Sequence, residues 1–147
     1  MDSILQFIAV FALGILEIWI AIPVGFISGL NPVFTVIAAS LGAVSGVLLA
    51  FLLMEELISW VRRRLGVNVN DYVKERRLYR IWKKYGVIGL GLFAPLTGVV
   101  LPVAIGMVSD IPKRPLFIWI VIGIVLWSVL LALAIGLGIT AVESFTG

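Results

Sequence analysis

The chain is too apolar and too sparsely charged to be a water-soluble domain. Of its 147 residues, 62% are hydrophobic and only 13% are charged, and the mean hydropathy is +1.20. Soluble domains are about 45–50% apolar and about 25% charged, so this little charge cannot cover a water-facing surface. The sequence contains no histidine and no cysteine, which excludes imidazole and thiolate chemistry, disulfides and the usual metal sites. We therefore predict an integral membrane protein that is not an enzyme and holds no metal or cofactor.

Four apolar stretches follow one another along the chain, and two of them are uninterrupted. Residues 33–54 and 116–142 are long enough for the roughly 20 apolar residues that a helix needs to cross a bilayer. We predict spanning helices over residues 33–61 and 113–142. The first stretch, residues 4–30, contains Glu17 and is bent by glycine and proline at Pro23, Gly25 and Gly29.

The third apolar stretch, residues 85–108, is the most broken of the four. Pro95 and Pro102 each remove a backbone donor and clash with the preceding turn, and Gly98 between them permits left-handed or extended backbone. Unpaired carbonyl groups at membrane depth are tolerated only inside protein or beside a watery cavity. The sequence favours a re-entrant hairpin over residues 85–111, with a kinked spanning helix as the alternative.

The basic residues are concentrated in one part of the chain. Nine of the eleven lysines and arginines lie between Arg62 and Lys84, and the others are Lys113 and Arg114. If residues 1–32 and 85–111 are both re-entrant, all eleven lie on the cytoplasmic side, as the positive-inside rule prefers. Four complete spans would instead place Lys113 and Arg114 outside. We predict a multi-pass protein of the inner or plasma membrane that binds no nucleic acid.

Residues 70–84 connect the two halves of the chain. Leu78, Ile81, Trp82 and Tyr85 fall on one face at helical spacing, which is typical of a basic amphipathic helix on the inner leaflet. It is either a simple positive-inside anchor or a segment that gathers anionic lipid headgroups. In the second case the headgroup-facing residues are Arg76, Arg77, Arg80, Lys83 and Lys84.

A weak internal repeat links the two broken stretches. Residues 22–32 resemble residues 101–112, with Pro23 aligned to Pro102 and Pro32 to Pro112. A hairpin and a helix repeated in opposite orientation form an inverted repeat, from which transporters build substrate sites. The predicted fold is an all-α membrane domain. It contains two inverted repeats, each a re-entrant helical hairpin plus a spanning helix, and the amphipathic segment joins them.

Glu17 is the only ionisable residue well inside an apolar stretch. A buried, isolated carboxylate is unfavourable, so Glu17 should face the protein interior and be partnered or protonated. This predicts a proton-coupling or cation-recognition role, the alternative being a carboxyl group that hydrogen-bonds unwound backbone. Glu55 and Glu56 are expected to pair with nearby arginines at the membrane interface.

The expected turn of the second hairpin contains Thr97 and Gly98. A hydroxyl group and exposed backbone donors there could bind a polar or anionic group, or the residues could form only a turn. We expect the substrate site to be shaped by these residues together with Pro23, Gly25, Pro95 and Pro102. No nucleotide fingerprint or catalytic triad appears, so any transport runs downhill or uses an ion gradient.

Two sets of residues resemble a known family. Glu17, Ala21 to Gly25 and Gly29 are similar to one motif of the small multi-drug export protein family, and residues 84–90 and 95–98 are similar to a second. The resemblance covers residues 10–107. That family in turn resembles the DedA/VTT lipid flippases and scramblases, which implies paired re-entrant hairpins.

The second hairpin matches the DedA pattern only in part. The matching positions are Phe93, Pro95, Pro102 and Gly106. Where that pattern has arginines thought to serve phosphate headgroups or proton coupling, this chain has Leu92 and Gly98. The first-hairpin acid of that pattern corresponds to Glu17.

The predicted function is a small exporter of an amphipathic or lipid-like substrate, proton-coupled through Glu17. So few helices make a thin wall for a pathway, so we expect a homodimer in contact with membrane lipids. The alternatives are an uncoupled lipid scramblase or flippase of DedA type, and a non-catalytic scaffold subunit.

Overall fold

The computed structural model describes residues 2–66, 77–109 and 111–146, with the backbone alone for residues 62, 65, 77–85, 143, 145 and 146. The secondary structure of these ranges is helical, without a strand, so the all-α prediction is confirmed there. The described residues form the helices α1 (Ser3–Leu16), α2 (Ile18–Ile27), α3 (Pro32–Leu65), α4 (Arg77–Thr97), α5 (Val100–Val108) and α6 (Lys113–Thr146).

Helices α3 and α6 are long and apolar enough to cross a membrane. Their candidate spans are Pro32–Val61 and Lys113–Val142, each of 30 residues. At 1.5 Å rise per residue each span is about 45 Å long, which exceeds the roughly 30 Å of a hydrocarbon core. Leu53 and Leu137 are about 70% exposed, as suits a side chain that faces lipid. Both helices continue past the predicted ends, to Leu65 and Thr146.

The first compact unit comprises residues 1–45 and 124–147. Within it, the side-chain amide of Gln6 donates a 2.6 Å hydrogen bond to the carbonyl oxygen of Ser28. These two residues are equally far in sequence from Glu17, which separates α1 from α2. Helices α1 and α2 therefore lie antiparallel as a helical hairpin whose tip is Glu17.

Glycines bring this first hairpin close to α3. A β-carbon at Gly14 would lie 2.6 Å from the carbonyl oxygen of Ala39, and one at Gly42 would lie closer than 3.0 Å to the carbonyl oxygen of Phe11. In the same unit, the hydroxyl of Ser40 donates to that of Ser128 at 3.0 Å, which joins α3 to α6.

The second unit comprises residues 46–123 and contains the second hairpin. Gly86 (φ 62°) kinks α4, and Gly98 (φ 78°) lies between α4 and α5. A β-carbon at Gly91 would overlap Trp119, and one at Gly106 would overlap Leu116. Because Leu116 and Trp119 are one turn apart on α6, the end of α4 and α5 lie side by side on that helix.

The predicted amphipathic segment lies partly outside the described residues. Residues 70–76 lie outside the described residues. Residues 77–84 form the first part of α4, before the kink at Gly86. The side chains of residues 77–84 also lie outside the described part, so the amphipathic face stays a prediction.

Candidate functional site

Glu17 occupies a break between two helices. Its backbone is extended (φ −159°, ψ 116°). Its N–H donates to the carbonyl of Leu13 at 2.8 Å, and its carbonyl accepts from the N–H of Ala21 at 3.2 Å. Glu17 therefore lies at the end of α1 and the start of α2. Its side chain projects from the point where one helix stops and the next begins.

The tip at Glu17 lies well along the first membrane-crossing helix. Gly14, one turn earlier, packs against Ala39 and Gly42 of α3. These residues are seven and ten positions beyond Pro32, which corresponds to roughly 10–15 Å along the helix axis. The tip is therefore level with the interior of the candidate span Pro32–Val61 and not with either of its ends.

The carboxylate of Glu17 has no protein partner among the described residues. Its side chain is half-buried. Neither a hydrogen bond nor an ion pair reaches its carboxyl oxygens within residues 2–66, 77–109 and 111–146. As the residue before the first turn of α2 it could cap that helix, but its side chain makes no capping hydrogen bond. Within the described part of the chain, the carboxylate is therefore available to a proton or a ligand.

Pro23 and Gly25 do not break the first hairpin. Both lie inside α2, whereas Gly29, the third residue expected to bend this stretch, follows the end of α2 with a φ of 81°. Gly25 is buried, and a β-carbon there would overlap the side chain of Thr35 in α3. Its position allows α2 to pack closely against α3. Pro23 is half-buried on the same helix and lacks the N–H that would pair with the carbonyl four residues earlier.

The second hairpin turns at Thr97 and Gly98. The Thr97 hydroxyl donates to the carbonyl of Phe93 at 3.3 Å, and the side chain is exposed. Gly98 has a positive φ of 78°, so it adopts the left-handed one of the two conformations considered for it. A turn thus replaces a continuous helix at this point.

The two prolines of this hairpin act differently. Pro95 lies inside α4 and has no N–H, so the carbonyl of Gly91 loses its usual helical partner. That carbonyl instead faces Gly123 of α6, where a β-carbon would lie closer than 3.0 Å to its oxygen. Pro102 lies in the first turn of α5, where amide groups have no intrahelical acceptor anyway. Of these two prolines, only Pro95 therefore interrupts the hydrogen bonds of a helix. This corrects the expectation that both prolines do so.

The same backbone pattern occurs at the end of each hairpin, 81 residues apart. In the first, Ser28 N–H donates to Val24 and Leu30 N–H donates to Gly25, at 2.9 and 3.0 Å. In the second, the matching bonds are 2.9 Å each and join Ser109 to Ile105 and Ile111 to Gly106. A matching pair of hydrogen bonds occurs at the start of the long helices. Thr35 N–H donates to the carbonyl of Asn31, and Leu116 N–H donates to the carbonyl of Pro112.

This recurrence changes the predicted alignment of the repeat. A shift of 81 residues matches Pro23 to Ala104 rather than to Pro102. The first helix of each hairpin also approaches its long helix in the same way, through Phe11 and Gly42 in the first repeat and through Gly91 and Gly123 in the second. Between the two repeats, the hairpin residue shifts by 80 positions and the long-helix residue by 81. A shift of 80 matches Glu17 to Thr97, so both hairpins carry a polar side chain where the first arm ends.

The predicted headgroup-facing residues are not covered by the structure. Arg76 lies outside the described residues. The structure describes only the backbone, and not the side chains, of four others that lie in α4: Arg77, Arg80, Lys83 and Lys84. Glu55, expected to pair with a nearby arginine, instead pairs with Lys113, 58 residues along the chain.

The two long apolar helices and the many exposed leucines, isoleucines and phenylalanines are features of a helical membrane protein. A family model described as "Putative small multi-drug export protein" matches residues 17–130. The chain belongs to this family, which confirms the resemblance seen in residues 10–107. Neither a search of curated proteins nor one of solved structures finds a match. Kinship with DedA proteins stays a prediction.

Proposed function

We propose that the chain is a small membrane exporter of an amphipathic or lipid-like substrate, with Glu17 as its proton-coupling carboxylate. The observation that carries the proposal is the position of Glu17. It is a half-buried carboxylate without a partner among the described residues, and it lies at a helix break that is level with the interior of the candidate span of α3.

A carboxylate in this position suits proton coupling. Ionisable residues inside membrane segments usually mark ion and substrate pathways. The protonated form of Glu17 is compatible with an apolar environment, whereas the charged form needs water, a ligand or a partner. Binding and release of a proton can therefore alternate with binding and release of substrate.

The remaining parts of the proposal concern the hairpins. Both enter and leave the membrane on one side, and the recurring hydrogen bonds support a pair of inverted repeats. Thr97, Gly98 and the backbone near Pro95 and Pro102 contribute polar groups to substrate binding, with Pro23 and Gly25 holding α2 in place. The protein acts as a homodimer in the inner membrane, with residues 62–84 cytoplasmic, and performs no covalent chemistry.

Transport by purified protein in liposomes of phosphatidylethanolamine and phosphatidylglycerol tests the proposal. The probes are ethidium, an amphipathic cation, and a fluorescent phospholipid analogue. A gradient of one pH unit supplies about 1.4 kcal/mol per proton, so coupled transport accumulates a probe about tenfold. We expect accumulation that a protonophore abolishes.

Two other results are informative. Equilibration of the lipid analogue at the same rate with and without the gradient indicates uncoupled scrambling and contradicts proton coupling. Movement of neither probe contradicts the exporter and leaves a scaffold role.

A further inference from the structure

The second unit contains a charged cleft that the proposed transport mechanism does not use. Its volume is about 430 Å³, and it is lined by Glu55, Ile58, Ser59, Arg63 and Met107. The first four residues lie on the C-terminal part of α3, and Met107 lies at the end of α5. Lys113, at the start of α6, reaches the cleft through its ion pair with Glu55.

Ser59 holds the Arg63 guanidinium against the helix. Nη2 of Arg63 donates to the Ser59 hydroxyl at 3.0 Å, and Nε donates to the Ser59 carbonyl at 3.3 Å. A guanidinium has five N–H donors, so three remain. Within the described ranges these three have no acceptor. Arg63 is therefore held in a fixed orientation with most of its hydrogen-bonding capacity unused.

The charge of the cleft favours an anion. Glu55 is paired with Lys113. No carboxylate among the described residues pairs with Arg63, so the described charges of the cleft leave one positive charge uncompensated. The planar guanidinium matches the oxygens of a phosphate group, with which it forms short, charge-assisted hydrogen bonds.

The position of the cleft adds a second requirement for the ligand. The candidate span of α3 ends at Val61 and that of α6 begins at Lys113, so Ser59 and Arg63 lie at the membrane boundary. Ile58 and Met107 make the adjoining wall apolar, and the neighbouring Trp60 is exposed, as is common for tryptophan at headgroup level. A ligand here meets a cation at one end and hydrocarbon at the other.

We infer that this cleft binds the phosphate group of an anionic phospholipid through Arg63, with Ser59 as the residue that positions it. The inference is independent of transport and holds whether or not Glu17 couples protons. The shared chemistry is a phosphate anion, and an apolar tail distinguishes a lipid from soluble phosphate.

The test compares Arg63→Gln with Arg64→Gln. The two variants lose the same charge at adjacent exposed positions, but only Arg63 lines the cleft. Native mass spectrometry of detergent-purified protein measures binding of phosphatidylglycerol, with phosphatidylcholine as the neutral-headgroup comparison. We expect Arg63→Gln to weaken phosphatidylglycerol binding about tenfold, the effect of losing a hydrogen bond between charged groups. Arg64→Gln should bind like the wild type.

A third variant separates the site from general surface charge. Ser59→Ala keeps every charge and the backbone carbonyl that accepts from Nε, but it removes the hydroxyl that holds Nη2. We therefore expect phosphatidylglycerol binding to weaken about threefold. Equal effects of Arg63→Gln and Arg64→Gln, or full binding by all three variants, would overturn the inference. Thermal stabilisation by inorganic phosphate that needs Arg63 and equals that by phosphatidylglycerol would assign the site to soluble phosphate and overturn the lipid.

Discussion

Replacement of Glu17 by glutamine is expected to abolish proton-driven accumulation of substrate. A coupled exporter accumulates its substrate about tenfold per pH unit of gradient, and loss of the only carboxylate at the hairpin tip returns this ratio to one. Glutamine has nearly the same size and keeps hydrogen-bonding groups, but it cannot exchange a proton at physiological pH. The measurement is accumulation of ethidium in liposomes under an imposed gradient.

Two variants control this experiment. Glu56→Gln makes the same chemical change at an exposed position near the end of α3, so it should transport like the wild type. Glu17→Asp keeps a titrating carboxyl group and should retain gradient dependence. Full accumulation by Glu17→Gln, with folding intact by thermal denaturation, would remove the coupling role of this residue.

The second large effect is expected from alanine at Gly42 or Gly123. A β-carbon at either residue would lie closer than 3.0 Å to a backbone carbonyl oxygen, that of Phe11 or of Gly91 respectively. A backbone atom cannot rotate away as a side chain can, so the whole hairpin arm must shift. Overpacking of this kind destabilises by about 1–3 kcal/mol. Unfolding in detergent, monitored by circular dichroism, measures the loss.

Gly136 and Gly138 provide matched controls on α6. A β-carbon at either meets nothing within 4 Å, and alanine is favoured over glycine in a helix by up to about 1 kcal/mol. Gly136→Ala and Gly138→Ala should therefore be neutral or slightly stabilising. If Gly42→Ala is as stable as Gly136→Ala, the first hairpin does not pack against α3 through this glycine.

The two long helices could be predicted because each contains an unbroken run of apolar residues. Residues 33–54 and 116–142 are uninterrupted apolar runs, and α3 and α6 contain them. The C-terminal ends were underestimated because the arginines at positions 62–64 mark a membrane boundary without stopping a helix. Arginine is a good helix former, so α3 extends to Leu65.

The two hairpin tips differed in how well the sequence predicted them. The prolines on either side of Gly98 predict a turn there. Its φ of 78° lies in the left-handed region, which glycine adopts without strain. Glu17 is surrounded by leucine and isoleucine, which carry no turn signal. The break occurs there because the antiparallel contact of Gln6 with Ser28 requires a reversal halfway between them, and tertiary packing of this kind is invisible in local sequence.

Long-range polar contacts were the least predictable feature. Glu55 has three arginines within ten residues, yet its partner is Lys113, which the packing of α6 against the end of α3 brings close. The cleft around Arg63 arises from the same packing. Spacing along one helix places Glu55, Ser59 and Arg63 on one face, but the wall that Met107 adds depends on the fold.

The sidedness of three positions tests most directly the claim that both hairpins are re-entrant. Because the chain lacks cysteine, single cysteines at Asp2, Asn70 and Ser144 can be labelled in intact cells with a membrane-impermeant maleimide. We predict labelling at Asp2 and Ser144, with labelling at Asn70 only after permeabilisation. Labelling of all three positions from one side would show four complete spans and contradict the re-entrant hairpins.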